Sequence, residues 1–421
     1  MRHTHDYGLS VDIGTTHVTL HLVGLPDLRV LLEHIIPNPQ TRFGADIISR
    51  ICHSVRKREN ARQLTALIRS AIQDGISAML KQLQLNEADI KQVVVVGNTV
   101  MHHLFFDLSV LSLAKAPYTA EAKDPVHMSA IDAGFPLLRD AECYSPPIVE
   151  SFVGADAPAM MLAAGLLEPG TNRIAMDIGT NTEIVVKSTE GAWIASAASG
   201  PAFEAMSMQC GVPGMPGAIK TVQIERDSLV PRFETIGGER PHGLCGTGAV
   251  SALAAMLERN IILPRGSFNR EISSRWLILD SSTVYYIIAE SAISATGQPI
   301  IISQPDVRML QQSKAAIRGV TELLLHEARL DAERVEALYV TGLFGSGLQM
   351  DDAYRIGMLP RFPHADTTQH DLGTIEGTDL LMILENRTKI EDLVKHLRYI
   401  EMAGNPEFDS RYLASLPFPD Q

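Results

Sequence analysis

The chain has little cysteine. Its four residues, Cys52, Cys143, Cys210 and Cys245, lie far apart, and no two have the Cys-x-x-Cys spacing of a zinc or iron–sulfur site. The expected state is four reduced, mostly buried thiols. No apolar run approaches the roughly 18 residues of a membrane helix, and Met1 to Tyr7 contain no apolar core of a signal peptide. There is no excess of positive charge either: Lys plus Arg is 36 against 49 acidic residues, a net charge of −13. That balance argues against nucleic acid or an anionic membrane as the main partner. The expected location is cytoplasmic. What remains is an ordinary globular composition, 45% hydrophobic and 20% charged. At 421 residues the chain has room for about two to four domains, each with its own core.

One stretch occurs twice. Asp177-Ile178-Gly179-Thr180-Asn181-Thr182-Glu183 follows the apolar residues Ile174-Ala175-Met176, and Leu9-Ser10-Val11-Asp12-Ile13-Gly14-Thr15-Thr16 has the same form. A second apolar run follows each at once, Val18 to Val23 and Ile184 to Val186. The pattern predicts a tight β-hairpin whose turn is rich in backbone N–H groups and hydroxyls. Such a turn suits phosphate: glycine lets the backbone approach an anion, threonine hydroxyls donate, and the aspartate can hold a hydrated Mg²⁺. Each copy opens its half of the chain, which suggests a duplicated domain with a phosphate chain held between the halves.

Along the first half, Val30 to Ile36 reads as a third strand and Pro37 to Asp46 as a loop, followed by the segment Ile47–Cys52 and a helix over Ala61–Leu85. Val93 to Val96 reads as a buried parallel strand ending in Gly97-Asn98, with Thr99 capping a helix to Phe106. Ser109 to Pro147 has no clear period and reads as an insertion. Ile148 to Val153 reads as a strand, and Gly154-Ala155-Asp156-Ala157-Pro158 opens a small-residue helix to Leu166. This is a ribonuclease H-like order. The second half repeats it: the hairpin, a strand over Ala192–Ala197, a helix over Thr247–Arg259, a β-rich insertion over Arg265–Thr296, and a long amphipathic helix over Val307–Glu327. A strand over Ala337–Thr341 ends in Gly342, Ser346–Ile356 is a helix, and Thr378–Glu385 closes the second unit. The fold class expected is therefore α/β, with two duplicated ribonuclease H-like lobes and a phosphate chain held between them. The first spans 1–169 with an insertion at 109–147; the second spans 170–421 with an insertion at 265–296 and a C-terminal tail.

The two Asp-Ile-Gly-Thr turns resemble the phosphate loops of the superfamily of sugar kinases, actin and heat-shock chaperones, which clamp ATP between two such domains. Val340-Thr341-Gly342-Leu343-Phe344-Gly345-Ser346-Gly347 resembles its adenosine loop. Gln311 and Lys314, one helical turn apart, stand where chaperone relatives reach the adenosine, and Gly154 to Pro158 resembles the segment connecting the phosphate loops. The resemblance implies ATP and Mg²⁺ as cofactors. It makes Asp12, Asp177 and Asp156 the catalytic carboxylates, with Asp12 and Asp177 flanking the metal and Asp156 orienting water. Gly14, Thr15, Thr16, Gly179, Thr180 and Asn181 would hold phosphates, and Gln311, Lys314, Gly342 and Gly345 would serve the adenosine.

A closer resemblance covers nearly the whole chain. Asn38-Pro39-Gln40 with Phe43-Gly44-Ala45-Asp46, Gly97-Asn98-Thr99-Val100-Met101-His102-His103, Asp177-Ile178-Gly179-Thr180-Asn181, Ser199-Gly200-Pro201-Ala202-Phe203-Glu204, Cys245-Gly246-Thr247-Gly248 and Asp306-Val307-Arg308 with Gln311 and Lys314 are similar to runs in the ATP-dependent reductive activators of corrinoid proteins. Members use ATP to help return a protein-bound cobalamin-type cofactor from Co(II) to Co(I) for methyl transfer. The resemblance implies a corrinoid protein as partner, and a homodimer is left open. Family members usually carry an iron–sulfur domain, whereas no cluster motif stands here. No cluster is expected in this chain, and an external low-potential electron donor is expected instead. The rival readings are a small-molecule (sugar-type) kinase and an actin- or chaperone-like ATP-binding module. His102-His103 reads as a structural or partner-contact pair, because adjacent helical residues diverge by about 100°.

Overall fold

Apolar residues alternate through Leu9, Val11 and Ile13 and again through Val18, Leu20 and Leu22, and all six are buried. The alternation forms an antiparallel hairpin, β1 (Tyr7–Ile13) and β2 (His17–Gly24). The computed structural model describes residues 6–25, 27–44, 46–200, 202–203, 207–280, 284–342 and 347–420. They form two units, Met1–Gly170 with Leu372–Tyr399, and Thr171–Asp371 with Ile400–Gln421.

In the first unit, β3 (Arg29–Pro37) pairs antiparallel with β2, and β4 (Ile90–Gly97) runs parallel to β1. β5 (Val126–Ser129) and β6 (Glu142–Ser145) complete a six-stranded sheet of order β3-β2-β1-β4-β6-β5. The helix Arg58–Leu83 lays its buried stripe, Leu64, Ile68, Ile72, Ile76 and Met79, into the core formed with β1, β2 and β4.

Two expectations fail in this unit. Ile148 to Val153 is not a strand but a turn, closed by the N–H of Val153 donating to the Glu150 carbonyl at 3.0 Å. The strand beside β4 is β6, inside the segment read as an insertion; four-residue strands are too short to display a period. Residues 372–399 also do not close the second unit. The helices Gly373–Leu380 and Leu384–His396 belong to the first, tied there by polar groups. Ser10 donates to Asp379 at 2.5 Å, and the opposite Asp379 oxygen lies 2.8 Å from His21 Nδ1. His21 Nε2 lies 3.1 Å from Glu33. Burial opposes protonation of this imidazole, but the two carboxylates outweigh it and hold its pKa above the usual value.

The second unit repeats the arrangement. β7 (Arg173–Ile178), β8 (Thr182–Ser188) and β9 (Gly191–Ala197) form an antiparallel meander. β10 (Ala218–Ile224), β11 (Pro231–Thr235) and β12 (Gly243–Leu244) form one small sheet. β13 (Leu277–Leu279), β14 (Val284–Ala289) and β15 (Ile300–Ser303) form another. β16 (Ala337–Thr341) runs parallel to β7, as β4 does to β1, and β17 (Asp366–Gln369) runs parallel to β16. The helices Gly246–Glu258 and Gln304–Glu327 bury Ala249, Leu253, Leu310 and Ile317 in the core of this unit. The helix expected over Ser346–Ile356 spans Met350–Arg355, and Ser346 lies outside the described residues.

Candidate functional site

The first turn is built by its neighbours. Inward-facing Val11 and Ile13 fix the end of β1, leaving the intervening Asp12 partly exposed. The carbonyl oxygen of Gly14 accepts from Asn38 Nδ2 at 2.8 Å, that of Thr15 from the Arg50 guanidinium, and that of Thr16 from Asn38 N at 2.8 Å. In a trans peptide the C=O and the following N–H point in opposite directions. With the Gly14 and Thr15 carbonyls turned to the scaffold, the N–H groups of Thr15 and Thr16 face the other way, and neither finds a protein acceptor among the described residues. The Thr15 hydroxyl accepts from Asn98 Nδ2 at 3.2 Å and keeps its own proton to donate.

Asn98 also caps the helix Thr99–Phe105, accepting from Met101 N at 3.1 Å, so the cap is Asn98 and not Thr99. The segment that opens the helix Asp156–Ala163 packs on the same strand end. A Cβ on Gly154 would lie 2.3 Å from the Gly97 carbonyl oxygen, so only glycine allows that approach. Ala155 N donates to Gly97 O at 2.9 Å. Asp12, Gly14, Thr15, Thr16 and Asp156 therefore gather at the carboxyl ends of β1 and β4. Asp156 accepts from Ala157 N at 2.9 Å but is the first helical residue; Ala155 holds the cap position.

The second turn is braced differently. Ser199 Oγ donates toward the carbonyls of Gly179 and Thr180 at 3.1 and 3.3 Å, and Gly200 N donates to the Thr180 carbonyl at 2.8 Å. Gly179 N closes the turn onto the Asn181 carbonyl at 3.1 Å. Asp177 again ends the strand, partly exposed between buried Met176 and Ile178. Gly342 sits directly against it: a Cβ there would meet Asp177 Oδ1 at 2.6 Å and Ile178 O at 2.5 Å, and its φ of +97° favours glycine. Gly345 lies outside the described residues.

Gln311 and Lys314 are buried, at 4% and 1% exposure, and their polar ends are engaged by the C-terminal tail. Gln311 Nε2 donates to the Leu416 carbonyl at 3.1 Å, and its Oε1 accepts from Arg308 at 2.6 Å. Lys314 Nζ donates to the Pro417 carbonyl at 2.6 Å and lies 5.1 Å from the centre of the Phe418 ring. Burial, with Arg318 adding to it, pulls the Lys314 ammonium down to about 7.

His102 and His103 are buried in the first unit, in keeping with the structural reading. Burial, with His103 beside it, pulls the His102 imidazole down to about 3. His103 Nε2 accepts from Glu121 N at 3.2 Å. Sequence reading did not single out the braces themselves, Asn38, Arg50, Asn98 and Ser199. Asn38, Asn98 and Ser199 stand in motif runs, and a polar residue beside a turn or strand end was the available signal. Arg50 had none, because an arginine on a short helix looks solvent-facing.

Residues 7–168 match the family described as the RACo middle region, and residues 171–421 match the C-terminal domain of RACo, the ASKHA domain. The chain is 30% identical over 422 residues to the corrinoid activation enzyme RamQ of Eubacterium limosum, covering 98% of this chain and 70% of RamQ. It is 24% identical over 451 residues to the Co(II) methylated amine-specific corrinoid protein reductase of Methanosarcina barkeri, covering 98% of this chain and 77% of that protein. Among solved structures it resembles a reductive activator for a corrinoid, iron–sulfur protein, with a TM-score of 0.85 and 28% identity over 100% of this chain and 67% of the other.

Proposed function

The chain belongs to the RACo family, with an ASKHA, actin-like second half, and from that premise we propose that it is an ATP-dependent activator that assists reduction of a protein-bound corrinoid from Co(II) to Co(I). The observation that carries this reading is the pair of turns, Gly14–Thr16 and Gly179–Asn181: the carbonyls of Gly14, Thr15, Thr16, Gly179 and Thr180 accept from donors outside their turns. In the first turn that leaves two backbone N–H groups and two threonine hydroxyls to face an anion, a donor set that fits phosphate. When bound, ATP with Mg²⁺ supplies the free energy of γ-phosphate hydrolysis.

Each residue then has a definite task. Gly14, Thr15 and Thr16 would hold phosphate oxygens, as would Gly179, Thr180 and Asn181. Asp12 and Asp177 would hold Mg²⁺. Asp156 would orient a water and accept its hydrogen bond. Gly342 would let the backbone face the nucleobase, and Gly345, Gln311 and Lys314 would serve the adenosine side. The binding energy favours a closed state that docks the corrinoid protein. Moving a two-state clamp from 1:99 to 99:1 takes roughly 5.5 kcal/mol of differential binding. Electrons come from an external low-potential donor.

The test is ATP hydrolysis by the purified chain with and without a Co(II) corrinoid protein. The expected result is stimulation by that partner. A rate indifferent to it but raised by a sugar would overturn the proposal in favour of a kinase.

A further inference from the structure

Arg50 is fully buried, at 0% exposure, on the helix Ile47–Ser54. Among the described residues its guanidinium bonds to neutral partners only: Nε donates to the Gly44 carbonyl at 3.0 Å, and one terminal nitrogen lies 3.0 Å from Met101 Sδ and 3.4 Å from Gln40 Oε1. The other donates to the Thr15 carbonyl within the first turn. Among the described residues no carboxylate bonds to it. Asp46 acts on it only through longer-range attraction, and its two oxygens accept from Ser49 at 2.8 and 2.9 Å. Burying a cation without a counter-charge is unfavourable, and a neutral donor could tie the same loop together at less cost. The imbalance is resolved if the missing negative charge arrives with a ligand.

The contact to Thr15 indicates where that charge arrives. A guanidinium on the Thr15 carbonyl polarises the peptide it belongs to, so the N–H of Thr16, on the opposite side, becomes a stronger donor. The braces of the second turn that bond its carbonyls are the neutral Ser199 hydroxyl and the Gly200 N–H. We propose that Arg50 is a positioning residue that gives the Gly14–Thr16 turn a fixed positive charge, so that affinity there depends on the number of phosphates on the nucleotide. The inference rests on the reading of this turn as a phosphate site.

The experiment is calorimetric titration of the full chain with ATP, ADP, AMP and adenosine, for the wild type, Arg50→Gln and Arg50→Lys. Arg50→Gln is expected to weaken ATP by roughly tenfold or more, ADP by less, and adenosine by under about twofold. Arg50→Lys keeps the charge and is expected to keep ATP within about threefold of the wild type. Because a buried charge is little screened, the Arg50→Gln deficit persists at high salt. Equal losses for ATP and adenosine would make Arg50 a structural prop and overturn the inference. If Arg50→Gln does not fold, a folded Arg50→Lys that loses its preference for ATP over adenosine overturns it as well. A wild type with no such preference would instead overturn the phosphate-turn reading itself.

Discussion

Lys314 Nζ donates a 2.6 Å hydrogen bond to the carbonyl oxygen of Pro417, 103 positions downstream. The bond belongs to a strap: the N–H of Phe418 donates to Pro264 O at 2.8 Å, and its ring is buried at 3% exposure. The strap leaves the lysine with a carbonyl and an aromatic face as its partners, and both stabilise it less than water does.

This environment has a consequence for stability against pH. The folded-state pKa of Lys314 is near 7, whereas an unfolded lysine titrates near about 10.4. Below pH 7 both states hold the proton and the fold bears the cost of a buried ammonium. Between those two values only the unfolded chain keeps it, so stability rises with pH across that window. Urea unfolding at about pH 6.5 and about pH 9.5 should give a larger gain for the wild type than for Lys314→Met. Equal gains would mean that the amine is charged throughout.

Asp12→Ala and Asp177→Ala are each expected to abolish Mg²⁺-dependent ATP hydrolysis while melting stays within a few degrees, since both carboxylates are partly exposed. Normal turnover in either variant would remove the phosphate-clamp account.

Asp156 stands beside the Gly97–Asn98 strand end, which reaches Thr15 through the Asn98 amide. Asp156→Asn is expected to keep ATP affinity within a few-fold and lower hydrolysis by roughly 100-fold. An equal loss of binding would identify a metal-holding or structural residue instead.

The cysteines give a prediction about colour. Cys52 and Cys143 lie in the first unit, Cys210 and Cys245 in the second. Burial pushes the Cys143 thiol up to about 12, so it is a poor thiolate ligand. Among the described residues the one group of three His, Cys, Asp or Glu side chains close enough to share a metal ion, His326, Glu327 and Glu407, contains no cysteine. The chain purified without oxygen is expected to be colourless and without stoichiometric iron. Measured iron near two or four atoms per chain, with absorption that bleaches on reduction, would contradict this.

What was legible in the sequence was what local chemistry determines. The two hairpins announced themselves through apolar alternation running into Asp, Gly and hydroxyl residues, and the long helices through their stripe of Leu and Ile. What was not legible depended on contacts between residues distant in the chain. Nothing near Asp379 signals that its carboxylate bonds to His21, 358 positions away, and that contact ties the helix Gly373–Leu380 to the first unit. Nothing near Arg50 signals Thr15, 35 positions upstream. The strands β5 and β6 were invisible because four residues cannot establish a period, and the tail's hold on Gln311 and Lys314 is made by backbone carbonyls, which every sequence has.

The central claim is that nucleotide, and not electron supply alone, drives corrinoid reduction. It is tested most directly by following Co(I) formation spectroscopically on a Co(II) corrinoid protein with this chain and an excess of low-potential donor. The account predicts that Co(I) accumulates when Mg·ATP is added, and stays at the background level with Asp177→Ala or without nucleotide. Co(I) forming at the same rate without ATP, or equally well without this chain, would contradict it.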